Sequence, residues 1–170
     1  MADIKNVNFD HPDIFDWDLL KKTLEQLKNG NDVTIPDYDY KTCQRKPPGI
    51  HLKWSPLVIF EGIFALFDRE INNRFLNFKI YVHTDDDLRL ARRLQRDILE
   101  RGRTVDGVLK SYHRYVKPAH KEFVQPTMKY ADLIIPRGRK IYSIHNNVAI
   151  DFIVQNLEHK LIEHGFKLQS

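Results

Sequence analysis

A single cysteine, Cys43, in 170 residues leaves no internal disulfide framework to build and fits a reducing compartment. No apolar run approaches the ~20 residues that cross a bilayer as a helix, so no membrane partner is expected. The opening Met1-Ala2-Asp3-Ile4-Lys5-Asn6 has neither the apolar centre of a secretory signal nor the Arg/Ser bias of a transit peptide. These shortages predict a cytoplasmic protein. Repeats, low-complexity tracts and linkers are also missing, and the length suits one domain over residues 1–170. His83, His113, His120 and His145 are scattered, without the helical pairing to an acid or cysteine that a zinc site needs. Nothing resembles a nucleophile elbow.

Charge is nearly balanced, 27 basic against 23 acidic residues for a net +4, which permits polyphosphate or nucleic-acid binding without demanding it. Asp16 is placed to cap a helix whose Leu19, Leu20, Leu24 and Leu27 form one stripe, closed by Asn29-Gly30. A short strand over residues 32–35 should stop at Pro36, Lys46-Pro47-Pro48-Gly49 reads as a turn, and residues 50–54 as a returning arm. Leu57-Val58-Ile59-Phe60 lacks alternation and predicts a strand buried on both faces, ending in Glu61 before a turn at Gly62. Further strands are expected over residues 78–82 and 133–135. Helices are expected over residues 68–75, from a Thr84 cap to about Arg101, over residues 104–123 with an interruption or kink at Pro118, and over residues 148–164. The last carries Ile150, Ile153, Leu157 and Leu161 on one face. Alternating strands and helices predict an α/β layered domain.

Three features could carry chemistry. Glu61 at a strand end would face the cleft where open α/β sheets bind ligands, or else serve as a capping or surface acid. Arg89, Arg92, Arg93, Arg96, Arg101 and Arg103 form the densest cationic cluster, and planar guanidinium forks suit phosphate oxygens. The competing reading is a solvated helix face paired with Asp85, Asp86, Asp87, Asp97 and Glu100. Arg101-Gly102-Arg103 favours a hinged lid. Phe9-Asp10 and Tyr38-Asp39-Tyr40 could stack on a ring and accept sugar hydroxyls, or simply pack as capped loops.

Taken together, five runs in order resemble the uridine–cytidine kinases, members of the P-loop nucleoside kinases. They are Asn8-Phe9-Asp10-His11-Pro12-Asp13, Ile35-Pro36-Asp37-Tyr38-Asp39-Tyr40 and Val58-Ile59-Phe60-Glu61-Gly62-Ile63. Arg92-Arg93-Leu94-Gln95-Arg96-Asp97-Ile98 with Glu100-Arg101-Gly102-Arg103 follows, then Lys129-Tyr130-Ala131-Asp132-Leu133-Ile134-Ile135-Pro136-Arg137-Gly138. The resemblance implies a P-loop kinase-like parallel sheet with flanking helices, a small β-hairpin for the nucleoside and an Arg-rich lid. It implies transfer of a phosphoryl group from ATP or GTP, with Mg²⁺, to the 5′-hydroxyl of uridine or cytidine. Asp10 would hold the ribose hydroxyls and Tyr38 the base or sugar, with Phe9 and Tyr40 lining the pocket. Glu61 would help hold Mg²⁺, Arg93 and Arg103 would contact substrate, and Arg96 and Arg101 would face the phosphates.

Departures from the family pattern accompany the match. Cys43 replaces a histidine that reads the pyrimidine, and Ser111 a glutamine that contacts the nucleoside. His145 falls near an aspartate that contacts the nucleotide base, in a lengthened stretch over residues 139–147. The chain holds no Gly-x-x-x-x-Gly-Lys-[Ser/Thr], nor the strand that delivers the catalytic-base aspartate. The expectation is therefore the C-terminal three-quarters of such an enzyme, N-terminally truncated and inactive alone. The alternative is a non-catalytic subunit regulating or joining full-length kinases, as a homo-oligomer or mixed oligomer. Nucleic-acid binding through the arginines is the third and least favoured reading.

Overall fold

In the computed structural model the structure describes residues 7–136 and 147–166. The Asp16 side chain accepts the Leu19 N–H at 3.1 Å and starts α1 (Trp17–Lys28), which buries Leu24 and ends at Asn29. Beside it an antiparallel hairpin, β1 (Val33–Asp39) with β2 (Gln44–Leu52), runs in register from Val33 opposite Leu52 to Asp39 opposite Gln44. Arg45 of β2 reaches Asp16 at 3.1 Å, tying hairpin to helix cap.

The hairpin is longer than its sequence suggests. Pro36 does not stop β1; the register shifts between Ile35 and Asp37, an irregularity that accommodates a residue with no ladder N–H. Residues 46–49 lie inside β2 and do not form the turn, which falls at residues 40–43 with Cys43 at φ 56°. Gly49 is required there: at φ +93° a Cβ would stand 2.7 Å from the Ile35 carbonyl oxygen.

The expected strand over residues 57–60 is not formed. Among the described residues no strand pairs with it, and Leu57, Val58 and Ile59 are 38, 46 and 80% exposed. Four apolar residues make a strand only where neighbouring backbones take their N–H and C=O groups. Beyond the turn at Gly62, Phe64 and Leu66 are buried, and Asp68 caps α2 (Arg69–Arg74), accepting from Ile71, whose side chain is 1% exposed.

The second sheet is parallel: β3 (Ile80–His83) pairs with β4 (Leu133–Pro136), Ile80 opposite Leu133. Between them α3 (Asp86–Leu99) starts with Asp85, not Thr84, in the cap position. Thr84 is buried, and the Asp85 side chain makes no cap hydrogen bond. Gly102, at φ +66°, turns the chain after α3. Thr104 then accepts the Gly107 N–H and caps α4 (Val105–Ser111).

The helix expected to be interrupted or kinked at Pro118 is a helical run of changing pitch. π-helical turns at Tyr112–Val116 and His120–Val124 flank α5 (Lys117–Ala119), and a 3₁₀ stretch, Gln125–Tyr130, follows. Pro118 lacks an N–H and crowds the preceding turn, so the ladder widens on both sides of it. The last element, α6 (Asn147–Glu163), forms as expected and leaves Ile150 52% exposed, while Ile153, Leu157 and Leu161 are half-buried. No helix among the described residues is long and apolar enough to cross a membrane.

Aromatic rings hold these layers together. Trp17 stacks on Phe67 at 5.8 Å, Phe67 meets Phe123 edge-on at 6.1 Å, and Phe123 meets His11 at 4.7 Å. The loop carrying Asp10 is thereby seated on the helical run. The result is an α/β fold with a small parallel sheet and flanking helices, carrying the hairpin and an arginine-rich helix end as its two appendages.

Candidate functional site

The carboxylate of Asp97, in the last turn of α3, is the point where the charged residues converge. Asp97 is 5% exposed. Its Oδ1 accepts from Arg96 Nε at 2.9 Å and Arg101 Nη1 at 3.1 Å, and its Oδ2 faces Arg93 Nε at 3.4 Å. Arg93 stands one turn before Asp97 on α3, Arg101 follows in the turn just past the helix end, and the bend at Gly102 brings the Arg103 N–H to the Asp97 carbonyl at 2.9 Å. A buried carboxylate is tolerable only when paired in this way.

Two arms extend from that centre. Arg93 Nη1 stands 3.8 Å from Asp10 Oδ1, in the loop where the Asn8 side chain accepts the Asp10 N–H at 3.1 Å. Burial pushes the Asp10 carboxyl above its ordinary value; Arg93 and Arg96 pull it down, and nearby Asp97 pushes it up. On the other side the Arg101 guanidinium lies over the Tyr40 ring, 4.8 Å from its centroid. Tyr40 meets Tyr38 edge-on at 5.2 Å. Burial and the adjacent Cys43 thiol raise the Tyr38 hydroxyl above its usual value, and the thiol lies 3.8 Å from the Tyr40 carbonyl oxygen.

Seven expected residues, Asp10, Tyr38, Tyr40, Cys43, Arg93, Arg96 and Arg101, thus form one connected set around Asp97, and Arg103 joins through its backbone. Phe9 is 37% exposed on the Asp10 loop, Ser111 is half-buried at the end of α4, and Glu61 is exposed before the Gly62 turn. Among the described residues no hydrogen bond or ion pair ties these three to the set. His145 lies outside the described residues. Arg89 belongs to a different group, with Asp86 and His120, so of the six arginines read from sequence only Arg93, Arg96, Arg101 and Arg103 gather at Asp97.

No group of three metal-ligating side chains gathers among the described residues. Mg²⁺ commonly uses one or two carboxylates together with phosphate oxygens and water, so a lone exposed Glu61 is chemically suited to be one ligand. A groove of about 370 Å³ at the root of the hairpin, lined by Leu19, Thr34, Ile35 and Arg45 among others, contains none of the expected residues. The charged convergence, not that groove, marks the candidate site. The sequence pattern sets Asp97 among the acids of a solvated face. The signal was present in its i±4 spacing to two arginines, but its burial was not.

Residues 1–142 match the phosphoribulokinase / uridine kinase family. Uridine-cytidine kinase-like 1 of Mus musculus is 46% identical over 169 residues, 99% of this chain and 30% of that protein. Uridine kinase of Clostridium novyi (strain NT) is 47% identical over 156 residues, 92% of this chain and 72% of that protein. Uridine-cytidine kinase B of Dictyostelium discoideum is 44% identical over 160 residues, 94% of this chain and 63% of that protein. The chain therefore spans from about a third to nearly three-quarters of the length of these relatives. With the match running through the Asp10 loop, the hairpin and the arginine-bearing helix, the chain belongs to the phosphoribulokinase / uridine kinase family.

Proposed function

We propose that these residues form the nucleoside and lid side of a uridine or cytidine kinase site in pyrimidine salvage, acting in the cytoplasm. The reaction moves a phosphoryl group from ATP or GTP to the nucleoside 5′-hydroxyl. The observation that carries this reading is the connected set linking an acidic loop, an aromatic hairpin and three arginines. Asp10 would accept hydrogen bonds from the ribose hydroxyls, and Tyr38 and Tyr40, with Phe9 beside Asp10, would border the ring. Cys43, Arg103 and Ser111 would complete the nucleoside contacts, and His145 would serve the nucleotide. Arg93, Arg96 and Arg101 carry more positive charge than Asp97 and Asp10 neutralise, which suits phosphate. Mg²⁺, with Glu61 as one ligand, would neutralise charge on the phosphates when bound.

These 170 residues contain no Gly-x-x-x-x-Gly-Lys-[Ser/Thr], so on this reading a phosphate cradle would be supplied by other residues of the same polypeptide or by a partner kinase. The second reading, a non-catalytic subunit of a homo-oligomer or mixed oligomer, draws on the apolar exposure of residues 57–59. Saturation-transfer NMR on purified residues 1–170 tests the nucleoside site. Ribose protons of uridine should be saturated by the wild-type protein and not by Asp10→Ala. No transfer from a folded wild-type chain would sink the proposal.

A further inference from the structure

Asp97 makes none of the contacts proposed for the nucleoside, yet every charged arm of the site passes through it. Its two oxygens engage Arg93, Arg96 and Arg101 at 3.4, 2.9 and 3.1 Å. Arg93 and Arg96 are engaged through Nε, on the inner edge of the fork, so the contact leaves the outer Nη pair of Arg96 uncommitted to Asp97. Arg93 Nε is buried without a hydrogen-bond acceptor despite its ion pair. Charge, more than a formed hydrogen bond, therefore holds Arg93 between Asp97 and Asp10. Arg101 in turn lies against Tyr40.

We infer that Asp97 is the positioning residue of the site. Its carboxylate holds three arginines in place before any phosphate arrives, and couples the Asp10 loop to the hairpin tip. This rests on the phosphate-facing role proposed for those arginines. Three mutually repelling cations on flexible stems would otherwise spread into water, and a polyanion would have to collect them at an entropic cost. One carboxylate cancels part of the repulsion without exhausting the positive charge. Losing such an orienting group weakens binding although it removes a negative charge.

That opposition of signs supplies the test. Residues 1–170, wild type and Asp97→Asn, are titrated with inorganic tripolyphosphate at fixed ionic strength, following arginine Nε–H resonances by NMR. Asp97→Asn should weaken tripolyphosphate binding about tenfold, the scale seen when the group orienting a metal-binding side chain is lost. Dispersion and exchange protection of the Arg93 and Arg96 Nε–H signals should collapse in the same variant. A carboxylate that merely opposes anions predicts the reverse, tighter binding. Equal or tighter binding, or unchanged arginine order, would overturn the inference. Should Asp97→Asn fail to fold, Asp97→Glu decides: it keeps the charge but displaces it, and should weaken binding about threefold on the same scale. Wild-type affinity in that variant would overturn the role equally. A wild-type chain that ignores tripolyphosphate counts against the phosphate role, while arginine order in Asp97→Asn still reports on Asp97.

Discussion

Asp10 illustrates how a residue proposed for a site can oppose stability. Burial raises its carboxyl above the ordinary 3.8 despite Arg93 and Arg96, so the folded chain binds this proton more readily than the unfolded chain. Stability from this group therefore falls as pH rises through that range, and at neutral pH the ionised Asp10 is a cost. Asp10→Asn should leave the melting temperature at pH 7 unchanged or higher. In an enzyme complete with its phosphate loop, Asp10→Ala should lower uridine kcat/KM about ten- to a hundredfold, the loss of about 1.5–3 kcal/mol for a charge-assisted hydrogen bond. A lower melting temperature for Asp10→Asn would show that the ionised carboxylate stabilises the fold, and an unchanged kcat/KM for Asp10→Ala would remove Asp10 from the site. Cys43 is the matching case on the hairpin. A thiol is a weak donor and acceptor, so the same complete enzyme should prefer uridine, and Cys43→His should raise cytidine use selectively. Equal kcat/KM for both nucleosides before the substitution would end that idea.

Elements are joined here by small polar clasps whose pH responses differ. Asp68 caps α2 and meets Lys21 of α1 at 3.1 Å. Burial pushes its carboxyl up, but the Ile71 N–H and Lys21 outweigh it and hold it below 3.8. Its contribution is complete above the unfolded value and fades as pH falls through the lower folded one. Asp68→Ala should cost about 1 kcal/mol at pH 7, with less difference from wild type in acid denaturation measured below pH 4. The clasp between α3 and the helical run behaves differently. Arg89 engages both Asp86 and His120, and burial, Arg89 and His83 hold the His120 imidazole below its ordinary 6.5, with Asp86 opposing them. The unfolded chain takes up that proton first, so stability drops as pH falls through the unfolded value. Thermal melts across about pH 7.5 to 5.5 should show that slope in wild type and a flatter one in His120→Gln. Identical slopes would show that the clasp is not titrating.

For the whole molecule, exposed apolar residues predict behaviour that the site does not. Ile59 is 80% exposed, and Leu57, Val58, Val82 and Ile134 are each more than a third exposed. Residues 1–170 in isolation should self-associate, and Ile59→Asp should reduce the association seen by light scattering. A monodisperse monomer that binds no apolar dye would contradict this. The same polypeptide should phosphorylate no labelled uridine above a Glu61→Ala control with ATP and Mg²⁺. Phosphoryl transfer depends on positioned charge, and these residues contain no phosphate-binding loop motif to surround the donor. Turnover above that control would mean that the arginines and Glu61 suffice.

Local chemistry in the sequence by itself determined much of this protein. The Asp16 cap, the apolar stripe of α1 and the motifs that place the chain in its family all depend on near neighbours. Only the tertiary structure decided the rest, because the rest depends on distant partners. Pairing with β2 carried β1 through Pro36, and the lack of a partner strand among the described residues left residues 57–60 unpaired and exposed. Asp97 looked like any surface acid until three arginines closed over it. Burial is a property of what surrounds a residue, and a carboxylate becomes the centre of a site only once the water around it has been replaced by guanidinium groups.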